Sequence, residues 1–332
     1  GRCDGRLASD ARRHVRLSGH TPAMTERPRV ILDCDPGVDD AMAIIVAARF
    51  ADLVGITTVA GNVELEHTTA NACRMRELLD LDVEVHAGAD GPLVGAQAFA
   101  HEVHGATGLG DLVLPDPTRG PDSDGAVDWL VETTRAEEGI HLVPVGPLTN
   151  VARALRADPG LADRVASVTL MGGAAVGVGN VTAAAEFNVY ADPEAADEVF
   201  RSGAPLTMLG LNLTHRVRMG SAHGRVCGAL GTPLGDAMAQ LLEFYTVFHL
   251  AEEEVVDGPV HDPCAVLAVT HPDLFECAGR PVYVEVEGTH TRGMTVVDER
   301  GSRADGPANC RVAYKADAEA AIDLVMQAVR EA

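Results

Sequence analysis

A regular alternation of short apolar runs with stretches of helical spacing most constrains how this chain folds. Strand-like runs occupy 30–34, 54–59, 83–86, 140–145, 168–171 and 206–211. Helical periodicity fills the gaps at 39–49, 65–79, 126–134, 148–155 and 193–200. Strand, helix, strand in repeated order implies right-handed crossovers. The expectation is an α/β fold, a mostly parallel central sheet with helices on both faces in a Rossmann-like arrangement. Further on come a helix over 235–252, another starting near Asp262, strand-like runs at 281–286 and 293–298, and a last helix over 317–329. No repeat or linker divides this order, so residues 28–332 are read as one catalytic domain. Residues 1–27 are rich in Arg, Ser, His and Gly without a hydrophobic period. They are read as a disordered extension, with Met24 as the natural start.

Composition narrows the partners. The 332 residues carry 26 basic and 49 acidic side chains, a formal charge of −23. A surface that grips nucleic acid or anionic membrane needs the opposite sign. No apolar run approaches the ~20 residues of a membrane-spanning helix. Seven cysteines are scattered without a C-x-x-C pair, which fits neither a disulfide framework nor a zinc site. These features predict a cytoplasmic protein acting on a small molecule, with no nucleic-acid or membrane partner.

Ligands of open parallel sheets bind beyond the carboxyl ends of the strands. The first strand runs directly into Asp33-Cys34-Asp35-Pro36-Gly37-Val38-Asp39-Asp40. Pro36 suits the first position of the following helix, and Gly37 lets a ligand approach the backbone. A helix N-terminus accounts for one or two of these acids but not for four. Clustered carboxylates raise one another's pKa unless a cation neutralises them, and all-oxygen ligation selects Ca²⁺ or Mg²⁺. A metal site is therefore expected at this turn. Other strand ends carry amides and carboxylates suited to sugar hydroxyls: Gly61-Asn62, Gly146-Pro147-Leu148-Thr149-Asn150, Asn180, Glu186-Phe187-Asn188 and His261-Asp262-Pro263.

With these motifs in this order, the sequence resembles the nucleoside hydrolases of the inosine/uridine-preferring type, from about Val30 to the C-terminus. The D-x-D-P-G-x-D-D signature at Asp33–Asp40 carries most of the resemblance. His101-Glu102-Val103-His104-Gly105, Met171-Gly172-Gly173 and Asp192-Pro193-Glu194-Ala195-Ala196 add to it. The resemblance implies hydrolysis of the N-glycosidic bond of ribonucleosides to ribose and free base, in nucleoside salvage. It implies a Ca²⁺ held by Asp35, Asp40, Asp262 and the Val145 carbonyl, with Asp35 also taking a proton from the attacking water. Asp39, Asn62 and Asn188 would grip the 2′- and 3′-hydroxyls, Asn180 and Glu186 the 5′-hydroxyl, and Phe187 would line the ribose pocket. His261 would protonate the leaving base. His104, Tyr245 and His249 are candidates for the base pocket, and His101 is read as a surface residue. Gly105, Gly108 and Gly110 read as a mobile flap over the substrate. Trp129, the only tryptophan, lies outside these motifs, which counts against the purine-specific branch that sandwiches the base between tryptophans. Inosine and uridine are the expected substrates, and a homodimer or homotetramer the expected assembly.

Two other readings compete. A phosphotransferase of the haloacid dehalogenase type also begins with D-x-D after a strand, but it needs a lysine in its site. The only lysine, Lys315, sits before the last helix. A catalytically inactive, Ca²⁺-dependent ribose- or nucleoside-binding protein would share every motif and leave its ligand intact.

Overall fold

β1 (Arg29–Cys34) lies inside an eight-stranded sheet. β2 (Asp52–Thr58), β3 (Glu84–Ala87), β4 (Ile140–Pro144), β5 (Ser167–Met171) and β6 (Leu206–Leu209) run parallel to it. The computed structural model describes residues 27–177 and 179–332; the extension read over 1–27, with Met24 as the natural start, lies outside them but for Arg27. β7 (Arg218–Gly220) and β8 (Asp257–Pro259) form a small antiparallel ribbon. β9 (Phe275–Arg280) and β12 (Cys310–Ala316) complete the main sheet in the order β3-β2-β1-β4-β5-β6-β12-β9, with β9 antiparallel. The runs expected at 281–286 and 293–298 do form strands, β10 (Val282–Val284) and β11 (Thr295–Val297), but as a separate two-stranded ribbon.

Alternating side chains divide the interior into two cores. On one face Val30, Leu32 and Cys34 pack with α1 (Val38–Phe50), α2 (Leu65–Leu78) and five later helices. α3 (His101–His104) is a single turn in the long loop beyond β3. On the other face Ile31 packs with α4 (Ala126–Ala136), α5 (Thr149–Ala157), α6 (Leu161–Arg164) and, beyond α7 (Phe187–Ala191), α8 (Pro193–Arg201). α9 (Leu211–Thr214) and α10 (Ser221–Gly228) lead into the long α11 (Pro233–Glu253). These three, with α12 (Asp262–Thr270) and α13 (Ala318–Glu331), are the later helices of the first core. Every residue of α1 from Val38 to Ala47 is buried, as a helix that is apolar on all sides requires.

Two local expectations are corrected. The strand expected over 206–211 ends at Leu209, and Leu211 opens α9. Pro36 is not the first residue of α1: Gly37 is the N-cap, and the Asp40 side chain at N3 takes the Gly37 N–H. α12 starts at Asp262, as expected, with His261 as its N-cap.

Trp129 stands away from the ligand cavity. Its ring stacks on His86 at 4.3 Å and its Nε1–H donates to Glu84. Burial lowers the His86 pKa below its ordinary 6.5, so the unfolded chain takes up this proton first and acidification below 6.5 costs stability. A charged imidazole quenches a stacked indole. Trp129 emission is therefore expected to stay flat from pH 8 to 6.5 and to fall only on further acidification, a step that His86→Phe removes. A midpoint at or above 6.5 would overturn this assignment.

Candidate active site

The turn after β1 is arranged by its own carboxylates. Asp40 is completely buried; its Oδ1 accepts from the Asp35 N–H at 3.0 Å and its Oδ2 from the Gly37 N–H at 2.9 Å. Asn62, at the end of the loop after β2, donates Nδ2 to Asp40 Oδ2 at 3.0 Å and to the Asp35 carbonyl at 3.1 Å. Its main-chain N–H reaches Asp35 Oδ2 at 2.7 Å. That leaves Asp35 Oδ1 buried with no hydrogen-bond partner. Gly61 and Gly146 flank the same carboxylate so closely that a Cβ on either would lie 2.1 or 2.4 Å from it. These two glycines make room for Asp35.

The acids do not all serve one purpose. Asp33 points into the protein, where Oδ1 accepts from Thr57 Oγ1 at 2.6 Å and Asn150 Nδ2 at 2.7 Å, tying β1 to β2 and α5. The sequence reading counted it with the metal turn. Asp262, delivered by the start of α12, takes its place: carboxylate oxygens of Asp39, Asp40 and Asp262 lie within 4.8 Å of one another. Asp39 thus joins the cluster, where it was expected only at the ribose. Burial and then mutual repulsion push Asp35 and Asp262 well above the carboxylate range. Burial and the Asp40 charge raise Asp39 to about 7, partly offset by the N–H groups of His261 and Asp262. Four buried acids that repel one another and an unpartnered oxygen among them form a donor set fitted to a hard divalent cation.

A cavity of about 450 Å³ opens above this cluster. Its floor and one wall expose Asp39, Asn62, Asn180, Glu186, Phe187 and Asn188. Glu186 caps α7, accepting from the N–H groups of Asn188, Val189 and Gly173, and burial raises its pKa to about 7. Asn180 Oδ1 accepts from the Phe187 N–H at 2.9 Å, and Asn188 Nδ2 donates to the Val145 carbonyl at 2.7 Å. The Val145 oxygen keeps a second lone pair. The sequence-derived ribose residues therefore line one cavity, and Asn62, Asn180, Glu186 and Asn188 are already oriented by hydrogen bonds.

The opposite wall is aromatic. His104, Tyr245 and His249, the candidates for the base pocket, line it together with His261. Tyr245 meets His249 edge to face, with ring centroids 4.5 Å apart. His104 Nδ1 accepts the Val38 N–H at 3.1 Å, so its proton sits on Nε2; burial lowers its pKa to about 3. His261 Nδ1 lies 2.7 Å from Thr214 Oγ1. Burial and then His215 lower the His261 pKa well below 6.5. His101, on the outer side, pairs with Glu64 at the surface. Phe99, His215 and Phe248 also line the cavity and were missed. Phe248 follows Tyr245 by three residues on α11 and so shares its face, a signal available in the sequence; Phe99 and His215 carry none.

The glycine-rich segment after His104, expected as a flap over the substrate, is seated against the protein in this structure. Leu109 and Leu112 are buried, and the Gly110 N–H bonds the His104 carbonyl at 2.9 Å. Gly105, Gly108 and Gly110 have φ of +76°, +96° and +59°, and Gly110 lies against the Phe244 ring. Its glycines serve left-handed turns and close approaches.

The profile of the family described as inosine-uridine preferring nucleoside hydrolase matches residues 30–323. The chain belongs to this family. As a nucleoside hydrolase it is 41% identical, over 90% of its length and 96% of the relative's, to the pyrimidine-specific ribonucleoside hydrolase RihA of Enterobacter sp. (strain 638). It is 42% identical to the RihA of Shewanella woodyi, over 90% of this chain and 97% of that one. Its fold matches that of the purine-preferring ribonucleoside hydrolase from Gardnerella vaginalis with a TM-score of 0.86 at 32% identity, over 91% and 98% of the two chains. No described helix of this nucleoside hydrolase is long and apolar enough to cross a membrane.

Proposed function

We propose that this nucleoside hydrolase cleaves the N-glycosidic bond of ribonucleosides by Ca²⁺-dependent attack of water, with uridine preferred over inosine. The observation that carries the reading is the buried group Asp39, Asp40 and Asp262, with the buried Asp35 repelled by Asp40, beneath a cavity lined by amides and carboxylates and by aromatic side chains. Asp35, Asp40, Asp262 and the Val145 carbonyl would hold the ion, with Asp39 beside them. When bound, Ca²⁺ offsets the repulsion among these acids and lowers the pKa of a nearby water. Asp35 Oδ1 takes the proton of the attacking water. Asp39, Asn62 and Asn188 hold the 2′- and 3′-hydroxyls, and Asn180 and Glu186 the 5′-hydroxyl. The carboxylates and amide oxygens stabilise the positive charge that grows on the ribosyl ring as the bond breaks. Attack on the face opposite the base inverts the anomeric carbon.

On the other wall, His261 lies with Nδ1 2.7 Å from Thr214 Oγ1; it would act as the acid in its protonated form, Nδ1–H donating to that hydroxyl and Nε2–H passing to the departing base. His261→Ala is expected to slow uridine and inosine by about 10²–10⁴-fold while sparing p-nitrophenyl riboside, whose leaving group needs no proton. Equal slowing of all three would remove His261 from this role.

The preference for uridine is supported by the RihA relatives, which are named pyrimidine-specific. Inosine remains a second substrate in this reading because the purine-preferring Gardnerella enzyme shares the fold at 32% identity. Reducing-sugar release from uridine, cytidine, inosine and adenosine ranks the bases directly. No release from any of them by folded, Ca²⁺-supplied protein would overturn the proposal in favour of a nucleoside-binding protein.

A further inference from the structure

The two walls of the cavity come from segments far apart in sequence, and one buried side chain joins them. Asn71, on α2, is 1% exposed. Its Nδ2 donates to the Pro36 carbonyl at 3.0 Å and to the Thr107 carbonyl at 2.7 Å. Pro36 lies inside the carboxylate turn, between Asp35 and Asp39, whereas Thr107 lies in the loop that follows His104. The Asn71 Oδ1 accepts from Arg74 Nη1 at 3.1 Å, which fixes which end of the amide faces the two carbonyls. Gly108 closes the same junction. A Cβ there would lie 2.7 Å from the Pro36 oxygen and 2.8 Å from Asn71 Nδ2.

His104 depends on this seat. Its ring reaches the carboxylate turn through one hydrogen bond, from the Val38 N–H to Nδ1. A Cβ on Gly37 would lie 2.4 Å from that nitrogen, so the ring and the turn touch with no slack. The segment from Gly105 to Gly110 is built from left-handed glycines, which on their own hold many conformations. Two hydrogen bonds from one buried amide remove that freedom at Thr107 and refer it to Pro36.

We propose that Asn71 is a positioning residue that sets His104 at a fixed height over the carboxylate turn, so that base and ribose are held in register. This inference rests on the proposed place of His104 at the base. Asn71 touches no substrate and acts through His104.

A double-mutant cycle on uridine hydrolysis tests it. Asn71→Ala is expected to lower kcat/KM by about 10-fold or more in the wild-type background, in the range of loosened positioning. In the His104→Ala background the same change is expected to cost less than about 3-fold. A merely structural role would instead multiply, with the same loss in both backgrounds, and that result overturns the inference. The single variant His104→Ala reads the underlying proposal by itself. If it leaves kcat/KM unchanged, His104 has no part at the base, and Asn71 has nothing to act through. Should Asn71→Ala not accumulate as folded protein, Asn71→Ser retains one donor and carries the same cycle.

Discussion

Asp35→Asn is expected to lower kcat for uridine by about 10³-fold or more while leaving the fold intact. Removal of a positioned general base alone costs about 10²–10⁴-fold, and this substitution also withdraws a charge from the cation site. The asparagine keeps the acceptor for the Asn62 N–H but replaces Oδ1, the oxygen without a partner, by an amide that cannot take a proton. Asn occupies the volume of Asp, so Gly61 and Gly146, which crowd this position, need not move. The same change removes one of four mutually repelling charges. The Tm of the metal-free variant is therefore expected to match or exceed that of the metal-free wild type. Steady-state kinetics beside thermal melts in chelator would read both effects. A kcat within 10-fold of wild type removes Asp35 as the base.

Chelation produces the second large effect. Exhaustive treatment with a Ca²⁺ chelator is expected to abolish sugar release and to lower the Tm by several degrees, both restored by added Ca²⁺. A ligand that binds only the folded state stabilises by about 2.7 kcal/mol at a hundredfold excess over its Kd. Four buried carboxylates without a cation lose that contribution and keep their repulsion. Mg²⁺ is expected to restore less, since it demands near-ideal octahedral ligands and gives up its water reluctantly. Full activity in protein shown to be metal-free would overturn the cation proposal.

Chemistry concentrated in one short segment was readable from the sequence; chemistry assembled across segments was only partly so. Asp35, Asp39 and Asp40 lie within six residues, and their mutual repulsion was visible before any fold was known. Asp33 shares that segment but still belongs to β1, and its side chain is held inside the protein by Thr57 and Asn150. Composition does not separate those two placements. Asp262 could be joined to the cluster only through a family likeness, because more than two hundred residues intervene. Phe99 and His215 belong to irregular segments, where no period announces which way a side chain points. Among the strands, β12 reads Cys-Arg-Val-Ala-Tyr-Lys-Ala, and its short alternation is diluted by alanine. β9 contains Gly279 and Arg280 and exposes much of its length at the sheet edge, so neither strand rose above the surrounding loops. The glycines near His104 show the limit of residue identity most directly: glycine permits motion and permits tight seating equally, and only neighbours such as Phe244 and Asn71 decide which.

The place of β12 has a consequence for synthesis on the ribosome. β12 inserts between β6 and β9, and β9 has no other partner in the sheet. The strands β1 to β6 can pair as they emerge, because each finds its neighbour among residues already made. Phe275–Arg280 must wait for Cys310–Ala316 before its main-chain groups are satisfied. Asp262 and His261 lie just upstream on α12, which packs against α1. The nascent chain therefore carries the carboxylate turn early and gains the rest of its catalytic cluster late, shortly before the sheet closes. A chain stopped short of Cys310 would leave β9 as an unpaired edge, a ready target for proteases and for pairing with other chains.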